Sequence, residues 1–249
     1  MERTLVLLLA FTAVEGYVGN HIFVNQEVNW EEAQKYCRAK HTDLSFIRSQ
    51  SDLERILLVS NEKTRDGWIG LQQDPSDLAA WLWSGGSSIT FQNWEQGQPD
   101  YYKEIEDRGQ LTDSGKWNDR SPSSTWNFYC IQITVTVELM SWQEALEHCR
   151  EHHTDLSSMV FETENLLALR EMKPLNIDRV WIGLRYLGDR WLWVNGDPLE
   201  YEAWGGVQDH QCPLLKRCGA FTIRGQWENR DCQEKLNFIF QVKRKLQCL

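Results

Sequence analysis

The chain is written twice. Asn29-Trp30-Glu31-Glu32-Ala33-Gln34-Lys35-Tyr36-Cys37 returns as Ser141-Trp142-Gln143-Glu144-Ala145-Leu146-Glu147-His148-Cys149, and His41-Thr42-Asp43-Leu44-Ser45 as His153-Thr154-Asp155-Leu156-Ser157. Trp68-Ile69-Gly70-Leu71 returns as Trp181-Ile182-Gly183-Leu184, and Trp81-Leu82-Trp83 as Trp191-Leu192-Trp193. Further on, Trp94 matches Trp204 and Trp117 matches Trp227. A period of about 110 residues is a domain duplication rather than a solenoid, and each copy is domain-sized. Any fold proposed for one half therefore has to accommodate the other.

Each copy opens with a polar residue, Asn29 or Ser141, followed three residues on by Glu32 or Glu144. That spacing predicts a capping box at a helix start. Trp30, Ala33 and Cys37 then share one helical face, as do Trp142, Ala145 and Cys149. A second helix is expected around 52–59 in copy one and 162–172 in copy two. Short aromatic and β-branched runs follow, broken by Gly, Asn, Asp and Pro, which read as strands and long loops. Residues 85–116 form a long loop region of little regular pattern, the kind of segment that carries function. The fold class is α+β, each copy having two helices, small antiparallel sheets and the long loop. Most of the 13 tryptophans recur in register and are assigned to core packing. The join from Cys130 to Val137 reads as one strand running into the next, so the domains should sit close together.

Residues 1–16 start Met1-Glu2-Arg3, run apolar from Leu5 to Val14 and end on small residues, the pattern of a signal peptide cleaved after Gly16. The apolar run is shorter than the roughly 20 residues a membrane span requires, and no later stretch qualifies. The expectation is a secreted, extracellular chain with no membrane span, its domains at 17–132 and 133–249. A formal net charge of -10 argues against nucleic-acid partners. Seven cysteines in an exported chain imply disulfides, with one thiol left over or paired between chains.

One stretch of copy one concentrates oxygen donors: Gln98, Asp100, Glu106, Asn118 and Asp119. Three carboxylates and two amides suit a hard cation such as calcium, which takes about 6–8 oxygens. Pro99 separates the first two donors, and a cis bond there lets the flanking side chains point to one side of the turn. Taken singly, Gln-Pro-Asp and Asn-Asp are also ordinary turn sequences. Asp74 and Asp77 are candidates for an auxiliary calcium site or plain loop charges.

Both copies resemble C-type lectin-like domains, and the resemblance covers essentially 17–243. It rests on the capped helix with its cysteine, Trp68-Ile69-Gly70-Leu71, Gln98-Pro99-Asp100, Trp117-Asn118-Asp119, Phe128-Tyr129-Cys130, Cys218-Gly219-Ala220-Phe221 and Cys232. In that family an outer disulfide joins the helix cysteine to the last strand, and an inner one pins the long loop. The resemblance implies an outer Cys37–Cys130 bridge in copy one and an inner Cys218–Cys232 bridge in copy two. Arg108 and Pro122 stand where copy one's inner cysteines would be, and Phe240 stands where Cys149 expects its partner. Cys149 is left to pair with Cys248 or remain free, and Cys212 or Cys248 is a candidate for a disulfide-linked dimer.

The same resemblance makes Gln98, Asp100, Glu106, Asn118 and Asp119 the ligands of a calcium ion that also coordinates two vicinal sugar hydroxyls. Within the family Gln-Pro-Asp is associated with galactose and N-acetylgalactosamine, although the Trp and Gly-rich insertion usual in galactose binders are absent here. Tyr102 is the candidate to stack on the sugar's apolar face. Copy two reads Gln208-Asp209-His210 without a proline, Lys216 in place of the Glu and Trp227-Glu228-Asn229 in place of Trp-Asn-Asp, so its site is degenerate. The functional expectation is calcium-dependent carbohydrate binding through copy one, with glycans or glycoproteins as partners. The alternative is calcium-independent protein recognition, chiefly through copy two. Catalysis is not expected: His148, Glu151 and His152 lack the His-Glu-x-x-His spacing, and no Gly-x-Ser-x-Gly elbow occurs.

Overall fold

The computed structural model describes residues 20–60, 65–102, 105–152, 155–206, 211 and 213–240. The apolar N-terminal stretch, Gln208-Asp209-His210, Cys212 and Cys248 lie outside them. Copy one begins with strand β1 (Asn20–Val28) and helix α1 (Trp30–Lys40). Asn29 caps that helix, its side chain accepting from the Glu32 amide while Glu32 reaches back to the Asn29 N–H. The short strand β2 (Asp43–Leu44) leads to α2 (Gln50–Val59), whose first turn is capped by Ser49. Strands β3 (Gly67–Asp74), β4 (Asp77–Trp83), β5 (Arg108–Leu111), β6 (Trp117–Arg120) and β7 (Trp126–Gln132) complete the copy. Copy two repeats the plan with β8 (Thr134–Val135), α3 (Trp142–His152), α4 (Glu162–Met172), β9 (Arg179–Leu187), β10 (Arg190–Trp193), β11 (Cys218–Thr222), β12 (Trp227–Arg230) and β13 (Asn237–Phe240).

The sheets are mixed, which corrects the expectation of antiparallel ones. The order is β1-β7-β3-β5-β6 in copy one, with β3 and β7 parallel. In copy two β9 and β13 are the parallel pair. A parallel neighbour needs a long return connection, and the hairpin, the long loop and β5–β6 supply it between β3 and β7. The remaining pairings are antiparallel, including β5 with β6, which sets Gly109 opposite Asp119 and Gln110 opposite Asn118.

The recurring tryptophans are core, and they repeat contact for contact. The indole N–H of Trp30 donates to the Ile69 carbonyl at 3.0 Å, and that of Trp142 to Ile182 at 2.9 Å. Trp68 donates to Val28 and Trp181 to Met140, each at 2.9 Å. Trp83 meets Trp117 edge-on at 5.6 Å, and Trp193 meets Trp227 at 5.2 Å. Area burial, with an N–H partner at Trp30, Trp68, Trp142 and Trp181, accounts for these positions, whereas the indole N–H groups of Trp117, Trp193 and Trp227 are buried without a partner among the described residues.

Both disulfides implied by the resemblance form: Cys37–Cys130 and Cys218–Cys232. Cys149 is a free, buried thiol in the same apolar cluster as Phe240. The Leu156–Phe240 bridge matches the Leu44–Cys130 pairing, so Phe240 fills the place of the missing partner. The Trp30 N–H donates to the Pro122 carbonyl and the Trp142 N–H to the Cys232 carbonyl, which puts Pro122 at the second inner-cysteine position. Arg108 faces Arg120 across β5–β6 as Cys218 faces Arg230 across β11–β12. With no sulfur to bond, Arg108 lays its guanidinium over the Trp30 ring at 4.7 Å, a cation–π contact in place of a covalent one.

One apolar cluster runs through both copies, joining Phe46, Ile47 and Leu53 to Met159, Leu167 and Met172. Beside it, buried Arg48 pairs with Asp52 at 2.8 Å and with Glu164 on α4 of the other copy. Arg170 on α4 reaches Asp43, and Ser87 bonds Thr163. The two domains are packed on each other through this seam.

Candidate metal centre

The long loop and β6 deliver three of the five oxygen donors, Asp100, Glu106 and Asp119, to one place. The Gln98–Pro99 peptide is cis. Carboxylate oxygens of Asp100, Glu106 and Asp119 lie within 4.8 Å of one another. Asp119 is fully buried, and its two oxygens accept from the Asp100 N–H at 3.2 Å and the Tyr101 N–H at 2.8 Å. The strand thus holds the loop through this carboxylate as well as through the backbone bridge between Trp94 and Trp117. Asn118 adjoins it, 5% exposed, and its Oδ1 is buried without a hydrogen-bond partner among the described residues. The Gln98 amide oxygen accepts from the Asp100 N–H at 3.0 Å. Tyr102 stands 58% exposed at the rim, its N–H donating to Asp100.

The electrostatics are those of an acidic cluster short of positive charge. Burial, and then the neighbouring Asp119 and Asp100, push the Glu106 carboxyl above the ordinary carboxylate range. Arg120 opposes this from 4.0 Å. A buried amide oxygen with no donor is costly, and like charges a few ångströms apart repel. A hard dication relieves both, so the residues fit calcium: three carboxylates, the Asn118 oxygen and Gln98 would hold it, short of the usual 6–8 oxygens.

Tyr101 was not among the residues singled out in the sequence. Its φ of 51° is left-handed backbone, uncommon for a non-glycine residue. That turn aims its N–H at Asp119. Nothing in a tyrosine signals it; only its place directly after the Gln-Pro-Asp tripeptide hints at a role. Asp74 and Asp77 behave as turn residues: Asp74 accepts from the Ser76 N–H and hydroxyl, which hold its carboxyl below the usual range, and Asp77 accepts from Ala79.

In copy two the residues at the Asn118 and Asp119 positions are engaged by other partners. Glu228, in the position of Asn118, accepts from Arg179 at 2.6 Å and lies 3.8 Å from Arg230. The Asn229 amide, in the position of Asp119, donates to the Lys216 carbonyl at 3.3 Å. His148 and His152 stack on the helix surface at 4.7 Å, His152 against the His148 carbonyl.

Comparison with known proteins agrees with this architecture. The model of the Lectin C-type domain matches twice, at residues 26–132 and 138–240. The chain belongs to the C-type lectin domain family, and it carries two such domains of non-enzymatic recognition type. It is 23% identical over 272 residues to C-type mannose receptor 2 of Rattus norvegicus, covering 88% of this chain and 18% of that protein. Against the secretory phospholipase A2 receptor of Bos taurus it is 23% identical over 265 residues, covering 90% and 18%. A C-type lectin mannose-binding isoform of Notechis scutatus scutatus is 34% identical over 114 residues, covering 43% of this chain and 72% of that one. The chain thus spans about a fifth of the length of the two receptors. Among solved structures, the carbohydrate-recognition domain of the mouse scavenger receptor C-type lectin matches 45% of this chain and 88% of its own length, at 30% identity and a TM-score of 0.42.

Proposed function

We propose that the domain at 17–132 binds carbohydrate through calcium held by Gln98, Asp100, Glu106, Asn118 and Asp119. The observation that supports this most is the convergence of the Asp100, Glu106 and Asp119 carboxylates within 4.8 Å, with the orphaned, buried Oδ1 of Asn118 belonging to the residue next to Asp119 in β6. Calcium in such a site supplies open coordination positions for a sugar's vicinal hydroxyls. The side chains do the selecting: a carboxylate only accepts, whereas an amide also donates. The Gln-Pro-Asp order supports galactose or N-acetylgalactosamine, with Tyr102 offering an apolar face at the rim. A shallow site of this kind has an affinity on the order of millimolar for one sugar. Two disulfides support an oxidising, extracellular setting and with it the signal-peptide reading of 1–16. No helix among the described residues is long and apolar enough to cross a membrane.

Retention on galactose resin, with and without chelator, tests the reading. Native protein is retained only with calcium. Asp119→Ala loses retention while keeping its far-ultraviolet dichroism. Retention of the native chain in chelator overturns the reading.

The domain at 133–249 supports a second activity, recognition of a protein without calcium. Leu214 and Leu215 are 83% and 82% exposed, beside Lys216 and Arg217, at the place of copy one's acidic loop. Exposed apolar side chains rimmed by charge mark interaction surfaces. Binding to a glycoprotein that persists in chelator and disappears in Leu214→Ser/Leu215→Ser supports this role; persistence in that variant removes it. A non-reducing gel of secreted material reports whether Cys212 or Cys248 links two chains.

A further inference from the structure

Copy two differs from copy one along the outer side of its first helix. Tyr36 and Lys40 of α1 are replaced in α3 by His148 and His152, four residues apart. Residues at i and i+4 are neighbours on a helix surface, and the two imidazoles lie 4.7 Å apart between centroids, their planes 26° from parallel. His148 keeps the packing role of its position: the ring meets Phe238 edge-on at 5.6 Å, as Tyr36 meets Phe128 at 5.2 Å. That role asks for a ring and not for an imidazole, and it asks nothing of His152, which is exposed. Cys149, between them in sequence, is buried in the core and is no part of the pair.

The hydrogen bonding of His152 sets its tautomer. A ring nitrogen meets a carbonyl only by donating, so Nδ1 carries the proton that it gives to the His148 carbonyl at 3.1 Å. In the neutral ring the lone pair then resides on Nε2. A ring N–H held by a backbone carbonyl, with the lone pair on the other nitrogen, is the arrangement of a metal-ligating histidine. The local charge agrees. His152 sits in the last turn of α3, where the helix dipole favours a cation. Glu144, Glu147, His148 and Glu151 line a groove of about 390 Å³. The lysine of that groove, Lys235, is bonded to Glu144, and Arg150 is paired with Asp155 at 3.2 Å.

We propose that His148 and His152 chelate a late first-row transition-metal dication, zinc or copper, at a site separate from the oxygen-donor cluster of copy one. Imidazole nitrogen suits these ions, whereas calcium takes oxygen. Metal–nitrogen bonds of about 2.0–2.1 Å bring two ligand nitrogens to roughly 3.3 Å of each other, a separation that rings stacked at 4.7 Å reach by turning about their side-chain bonds. Two protein nitrogens leave the remaining positions to water or to a carboxylate, and Glu151 lies three residues from His148 on the same face. The site stands whether or not copy one binds a sugar.

The test is calorimetry of the native chain with zinc, and then with copper(II), in saturating calcium so that oxygen sites are already filled. An equivalent of ion should bind. His152→Asn, which changes an exposed side chain, should weaken that binding at least about tenfold, the loss that even a supporting residue of a metal site causes, and His148→Asn should do likewise. Modification by diethyl pyrocarbonate with peptide mapping reads the site without a variant: zinc should protect His148 and His152 of the native chain, and calcium should not. Absence of binding by both zinc and copper overturns the inference. Binding that both variants retain at native affinity overturns it too, as does modification of the pair that zinc leaves unchanged.

Discussion

Glu106 and Cys149 show how much one side chain's surroundings decide. The Glu106 carboxyl is pushed above the ordinary glutamate range by burial, then by Asp119 and Asp100. A cation has to compete with its proton, and the protonated fraction grows as pH falls through the raised pKa. Calcium affinity should therefore fall at milder acidity than an ordinary glutamate would impose; an affinity that stays constant until the ordinary glutamate range is reached contradicts the electrostatics of the cluster. Cys149 is the opposite kind of group. Burial foremost, with Asp155 adding, pushes its thiol up to about 12. A thiol reacts as thiolate, so peptide mapping after iodoacetamide at pH 8.5 should find Cys149 unmodified in the native chain and alkylated in denaturant. Native-state labelling would contradict its placement against Phe240. The cluster of Asp100, Glu106 and Asp119 was legible because oxygen donors at those spacings have few other uses together. The role of Tyr101 was not, because a positive φ in a non-glycine residue is imposed by the carboxylate it serves.

At the scale of elements, the helices were readable from their caps. Asn29 with Glu32 and Ser141 with Glu144 each close a reciprocal box. The start of α2 was misplaced by two residues, since Ser49 caps it ahead of the apolar run. Sheet direction was not readable, because parallel pairing of β3 with β7 depends on partners about 60 residues apart. The β5–β6 unit is the informative element, since copy two holds its counterpart with a disulfide spanning 14 residues and copy one does not. Arg108→Cys with Pro122→Cys should restore that bridge at the same separation. Loop closure of that length contributes about 3 kcal/mol, against about 1 kcal/mol for the lost Arg108–Trp30 contact. The double variant should melt higher than the native chain when both are oxidised, since both keep the two native bridges. Equal melting temperatures of the two would show that Arg108 already holds the loop as firmly.

At the scale of the whole molecule, the seam between the copies couples them. Arg48, buried between Asp52 and Glu164, neutralises two carboxylates from different domains. Removing its side chain leaves both acids buried without their guanidinium, with only backbone donors such as the N–H of residue 48 on Asp52 and of Phe161 on Glu164, a loss of about 3–5 kcal/mol. Calorimetry of the native chain should show one cooperative transition. Arg48→Ala should lower it and separate the two domains into distinct transitions. A single undisplaced transition in the variant would mean that the apolar cluster alone joins the copies.

The amino-acid sequence by itself determined the duplication, the starts of α1, α3 and α4, the two disulfides through their family pattern, and the cluster of oxygen-bearing side chains in copy one. These follow from local spacing and from residue types with narrow chemical uses. Only the tertiary structure decided that Asp119 is buried under two loop amides and that Arg48 ties one domain to the other. Those features arise where segments distant along the chain meet, and the desolvation and packing that shape them have no counterpart in a linear pattern.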